Sequence, residues 1–142
     1  TKYTRYTSFH STALLLTWAT ALCSVSSAQD ADPCDRTAKT LKLKIKERDN
    51  TPTKVTKGFF RTDADTVHAC RGDTIEWKLS GKKFYVRFTN GSPFDKTEKT
   101  SNNGKLQITV GDDAKAGASY KYDIGIEGGG VLDPIIIIDN RT

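Results

Sequence analysis

His68 and Cys70 stand two positions apart, an imidazole and a sulfur that as neutral ring and thiolate are ligands for copper or zinc. A lone His-x-Cys is also what a buried structural cysteine beside a strand histidine looks like, so both readings stay open. Two acidic pairs, Asp63 with Asp65 and Asp112 with Asp113, have the spacing of clustered carboxylates used in glycoside chemistry or calcium binding. Both fall in turn-rich stretches, where Asp hydrogen-bonds its own backbone, and solvated turns are the expectation. Serine hydrolase chemistry would need His68 as general base, and no Gly-x-Ser-x-Gly elbow presents a nucleophile. Gly128-Gly129-Gly130 opens no helix and is not a dinucleotide fingerprint. Arg71-Gly72-Asp73 is the tripeptide that adhesion receptors read, although a turn before a strand uses the same residues. Lys42, Lys44 and Lys46, with Lys82, Lys83 and Arg87, offer a basic stripe for an acidic partner; lysines on an outer face also protect edge strands from aggregation.

Positioning these residues falls to the chain that follows the first 28. Residues 1–28 carry Lys2, Arg5 and no acid, then an apolar run from Ala13 to Leu22, then Ser26-Ser27-Ala28. That is the grammar of a secretory signal peptide, with an apolar core shorter than the roughly 20 residues a spanning helix needs. A lipid anchor on Cys23 competes with it, but Leu22 before it is not small. The remaining chain holds 20 basic and 17 acidic residues, a mild excess that is no nucleic-acid footprint. Cys34 and Cys70 are the two cysteines left, and an even count in an oxidising compartment predicts a disulfide between them.

Residues 29–40 read as a polar leader held only by Cys34. From there the chain alternates with a period of two: Leu41, Leu43, Ile45; Ile75, Trp77, Leu79; Phe84, Val86, Phe88; Leu106, Ile108, Val110; Tyr120, Tyr122, Ile124, Ile126. Thr66 to Cys70 predicts a short strand, and Ile135 to Ile138, apolar throughout, a central or doubly covered one. Asn50 to Lys57 has no pattern and reads as a loop, as does Pro93 to Gly104. No stretch has helical periodicity, so the expectation is all-β and a single domain over 41–139. An immunoglobulin domain is disfavoured because Trp77 follows Cys70 by only seven residues.

An early Gly72-Asp73-Thr-Ile-Glu-Trp77 strand and a late Tyr120-Lys-Tyr122-Asp123 strand together resemble the cupredoxin-like family, over roughly Leu41 to Asp139. The resemblance implies a Greek-key β-sandwich. It also implies a copper His after the strand ending at Asn90, where this chain has Gly91-Ser92-Pro93-Phe94, and Cys, His and Met ligands in the loop where it has Gly128 to Pro134. Neither loop holds such a donor, and the chain has no Met. The expectation is a copper-free domain without cofactor, with Phe94, Val131 and Leu132 as an apolar plug or shallow pocket.

The function that follows is a non-catalytic binding or accessory module of the periplasm or cell exterior. It has a loop end of Ser92, Pro93, Phe94, Val131, Leu132 and Asp133 facing an unknown protein or small molecule. No nucleic acid is expected as a partner and no integral membrane segment after signal cleavage. The alternative is a copper-binding or electron-transfer protein with an unconventional site at His68 and Cys70. The sequons at Asn90 and Asn140 matter only in a eukaryotic host, and the export signal and resemblance lean bacterial.

Overall fold

A computed structural model describes residues 34–58 and 61–139. The signal peptide, the Cys23 anchor, the first residues of the leader and the Asn140 sequon lie outside them. The described residues contain eleven strands and no helix, hence none long and apolar enough to cross a membrane. The strands are β1 (Thr40–Arg48), β2 (Thr51–Lys57), β3 (Thr62–Asp63), β4 (Thr66–Ala69), β5 (Thr74–Lys78), β6 (Phe84–Phe88), β7 (Glu98–Thr100), β8 (Lys105–Thr109), β9 (Ser119–Ile126), β10 (Val131–Leu132) and β11 (Ile135–Ile138). They form two mixed sheets packed as a β-sandwich. One runs β3-β2-β1-β5-β8; the other runs β4-β11-β9-β6-β7, with β10 beside β9. The parallel contacts are β1 with β5 and β4 with β11.

The alternating residues point inward as their period requires. Leu43, Ile45, Val55, Ile75, Trp77, Phe84, Val86, Leu106, Ile124, Ile136 and Ile138 are all buried in one core. At its centre Trp77 donates its indole N–H to the Tyr122 hydroxyl at 3.1 Å. Trp77 lies edge-on to Tyr122 and to Phe94, while Phe88 stacks on Tyr122 with centroids 5.3 Å apart. Burial pushes the Tyr122 phenol well above its ordinary range. β11 is interior to its sheet, yet only Ile136 and Ile138 are buried; Ile135 and Ile137 are half-exposed on the outer face.

Two expected loops contain strands. Residues 51–57 pair with β1 because Asp49 and Asn50, with φ of 49° and 62°, make the two-residue turn whose twist suits a hairpin. Pro52, which cannot donate to the ladder, sits opposite Glu47 where the register shifts. The other is β7, three exposed residues added to the edge beside β6. Replacing Tyr122 with Phe leaves the Trp77 N–H buried without an acceptor. Urea unfolding of Tyr122→Phe is expected to show a loss of about 1–3 kcal/mol; an unchanged midpoint would contradict the pairing.

Candidate functional site

Cys34 and Cys70 are both buried and joined by a disulfide with Cα atoms 5.5 Å apart. Beside it the Arg36 guanidinium forks onto Asp73, with Nη1 to Oδ1 at 3.0 Å and Nη2 to Oδ2 at 2.8 Å. Asp73 also accepts the backbone N–H of Lys39 at 3.0 Å and of Cys70 at 2.9 Å, and its side chain is 0 % exposed. Burial alone would raise its pKa, but the bonds from Arg36, Lys39 and Cys70 outweigh it and hold the carboxyl below its ordinary range. The leader is therefore held by Asp73 as well as by Cys34. A receptor cannot reach a carboxylate so enclosed, which removes the adhesion reading of Arg71-Gly72-Asp73; Arg71 instead donates to the Ala114 carbonyl at 2.7 Å.

His68 points out of β4, with Nδ1 2.7 Å from an Asp139 carboxylate oxygen. Its side chain is 59 % exposed, and Asp139 lies at the edge of the disulfide. Ligand atoms of Cys34, Cys70 and Asp139 are within 4.8 Å of one another, but both sulfurs are engaged in the disulfide and neither is a thiolate. The copper alternative thus retains only an imidazole and a carboxylate while the bond is intact.

The two loops of the proposed loop end leave the sheet at opposite ends of β9. β6 and β9 are antiparallel neighbours, with Phe88 opposite Tyr122 and Phe84 opposite Ile126. The loop after β6 therefore leaves at the start of β9, and the glycine turn after β9 lies at its finish. There the Gly130 N–H reaches the Asn50 carbonyl at 3.3 Å, and a Cβ on Gly129 would stand 1.8 Å from that oxygen. Val131 and Leu132 run beside Gly125 and Ile124. Four residue steps, roughly 13 Å, separate the glycine turn from the loop after β6, while β10 brings Leu132 back to within two steps of Tyr122 on the far side of β9. Phe94 is a core residue between Trp77 and Phe88, behind buried Pro93. The Ser92 hydroxyl closes its own loop onto the Lys96 carbonyl. Leu132 packs on the core, and Val131 is 48 % exposed on the outer face of the second sheet.

The acid pairs named from sequence are turn structures. Asp63 Oδ1 accepts the Asp65 N–H, and Asp65 accepts the Val55 N–H; Asp112 and Asp113 are exposed beyond β8. A pair that the sequence did not reveal joins Asp123 to Asp133, ten residues apart along the chain but brought together by β10 folding back along β9. Burial first, then the hydrogen bond and charge of Asp133, raise the Asp123 pKa.

What the chain does offer is a groove of about 540 Å³ at the sandwich flank, floored by Leu41, Leu43 and Val67 and rimmed by His68, Lys39 and Lys57. No protein-family model matches the chain, and no curated protein shows significant similarity to it. Its function therefore has to be argued from this geometry. Because the folded-state pKa of Asp73 is depressed, its contribution is present above the ordinary carboxylate range and lost as pH falls below about 4. Asp73→Asn is expected to cost about 3 kcal/mol at pH 7, with the gap to wild type closing in thermal melts toward pH 3. A pH-independent gap would show that the amide's geometry, not the lost charge, is at fault.

Proposed function

We propose that this chain is an exported, copper-free domain of cupredoxin-like, Greek-key character that works as a non-catalytic binding or accessory module, without a cofactor. One observation carries the reading: the Cys70 sulfur is bonded to Cys34 and buried. With that bond in place the domain has no thiolate with which to hold or cycle a metal. The aromatic residue at the first of the two loops, Phe94, serves the core, so the loops that carry chemistry in the resembling family are used here for packing. The His68 imidazole meets Asp139 rather than a hydroxyl nucleophile, which supports binding over hydrolysis.

The binding surface is the flank groove and what adjoins it, not the loop end. Its volume and its leucine and valine floor are those of a ligand site, and its rim is polar, with Arg36, Lys39, Lys42 and Lys57 among the lining residues. The copper alternative at His68 and Cys70 requires reduction first, after which Cys34, Cys70 and Asp139 would be close enough to share one ion.

Peptide mapping of the secreted protein without reductant, followed by copper(II) titration in the visible range, separates the two. The expected result is recovery of the Cys34 and Cys70 peptides joined, with no thiolate charge-transfer band. Free Cys70 together with a coloured complex would overturn the binding module in favour of the copper protein.

A further inference from the structure

β1 lies inside its sheet, but β5 pairs Thr40 to Lys44 and β2 pairs Leu43 to Arg48, so edge protection accounts for Lys42 and Lys46 at most and not for Lys44, which is flanked on both sides. The lysine row of β1 is not joined by Lys82 or Arg87, which pair with Glu47 and Glu98. Its companions come from the neighbouring strands. Lys44 stands opposite Lys78, Lys78 opposite Lys105, and Lys46 opposite Lys54, so like charges face each other across the sheet. Such placement destabilises a sheet. Glu76 and Asp63 neutralise Lys105 and Lys54. Lys42, Lys44, Lys46, Lys78 and Arg61 form no ion pair among the described residues. The Lys46 pKa is lowered, first by the Arg61 charge, then by partial burial and Lys44.

Lys42, Lys44, Arg61 and Lys78 border a second groove, of about 730 Å³, whose lining includes Thr56, Glu76 and Ser80. It shares Lys42, Leu43 and Gly58 with the flank groove, so the two are one track leading from His68 across β1 to Lys78. We propose that this track is the docking surface for a linear anionic polysaccharide. The inference rests on the binding-module reading and names the ligand class for it.

Charge complementarity calls for a polyanion, and the continuity of the two grooves calls for an extended one. Hydroxyls and a carboxylate in the lining hydrogen-bond sugar hydroxyls, while lysine ammonium groups take sulfates or carboxylates without demanding one orientation. An acidic peptide could extend β1 only along Thr40 to Lys42, the stretch that β2 does not pair, and that edge does not reach Lys44 and Lys78. A lipid surface is disfavoured because Val131, the one exposed large hydrophobic side chain among the described residues, is on the other sheet. The described lining residues include no Phe, Tyr or Trp, and the one aromatic ring, the His68 imidazole, is a single platform at one end of the track.

Lys78→Glu places opposite charges between Lys44 and Lys105, so it should raise the thermal midpoint while removing the ligand. With a heparin octasaccharide as probe, fluorescence anisotropy at low salt is expected to show at least a fivefold weaker Kd for Lys78→Glu and for Lys44→Gln. Less than a twofold change is expected for Lys83→Glu, an equal charge change off the track. Wild-type affinity should fall as salt rises. Equal losses in Lys78→Glu and Lys83→Glu would reduce the effect to net charge and overturn the proposal. So would tighter binding to polyglutamate, to a single-stranded oligonucleotide or to anionic phosphatidylserine vesicles than to the octasaccharide. A joined Cys34–Cys70 with no saccharide binding would sink this inference while leaving the copper-free reading intact.

Discussion

The fold turns on one buried carboxylate. Asp73 collects two bonds from the Arg36 guanidinium and two from the backbone N–H groups of Lys39 and Cys70. It thereby fixes the leader, the disulfide and the head of β5 at one point. The next residues on either side, Thr40 and Thr74, begin the parallel pairing of β1 with β5, and the Thr74 N–H bonds to the Lys39 carbonyl at 2.9 Å. A parallel contact between strands so far apart in sequence has no hairpin to set its register. Asp73 sets it. The disulfide closes a loop of 36 positions across the same corner, a constraint on the unfolded chain of about 4 kcal/mol.

That economy explains why so little chemistry remains at the residues that promise it. The sulfur of Cys70 holds the leader, Asp73 is enclosed, and Phe94 fills the space beside Trp77. The acids at 63 and 65 tie a turn to the β2 backbone. What is left uncommitted is charge: lysines on β1 facing lysines on its neighbours, at a cost to the sheet that the Glu76 and Asp63 ion pairs offset only at Lys105 and Lys54.

Strands were legible wherever apolar residues alternated, because a half-buried strand imposes a period of two. β2 was not, since Thr, Lys and Pro obscure the alternation and only the Asp49-Asn50 pair betrays the hairpin. The Cys34–Cys70 bridge followed from cysteine count, whereas the role of Asp73 did not, because burial of an Asp leaves no mark in sequence. The two loops of the loop end part for a topological reason: whether two loops share an end depends on strand direction, and β6 and β9 are antiparallel neighbours. The basic stripe was half legible. Its β1 lysines lie on one face by period, but sequence could not tell that Lys78 and Arg61 complete it in place of Lys82 and Arg87.

If this corner is structural, its bonds should open only when the whole domain does. Native-state hydrogen exchange on the Lys39 and Cys70 amides, the two that bond to Asp73, tests that directly. The account predicts protection equal to that of core amides such as Ile75 and Ile124. Exchange through local opening, much faster than the core, would mean that the corner breathes on its own, and would return Cys70 and His68 to consideration as reactive groups.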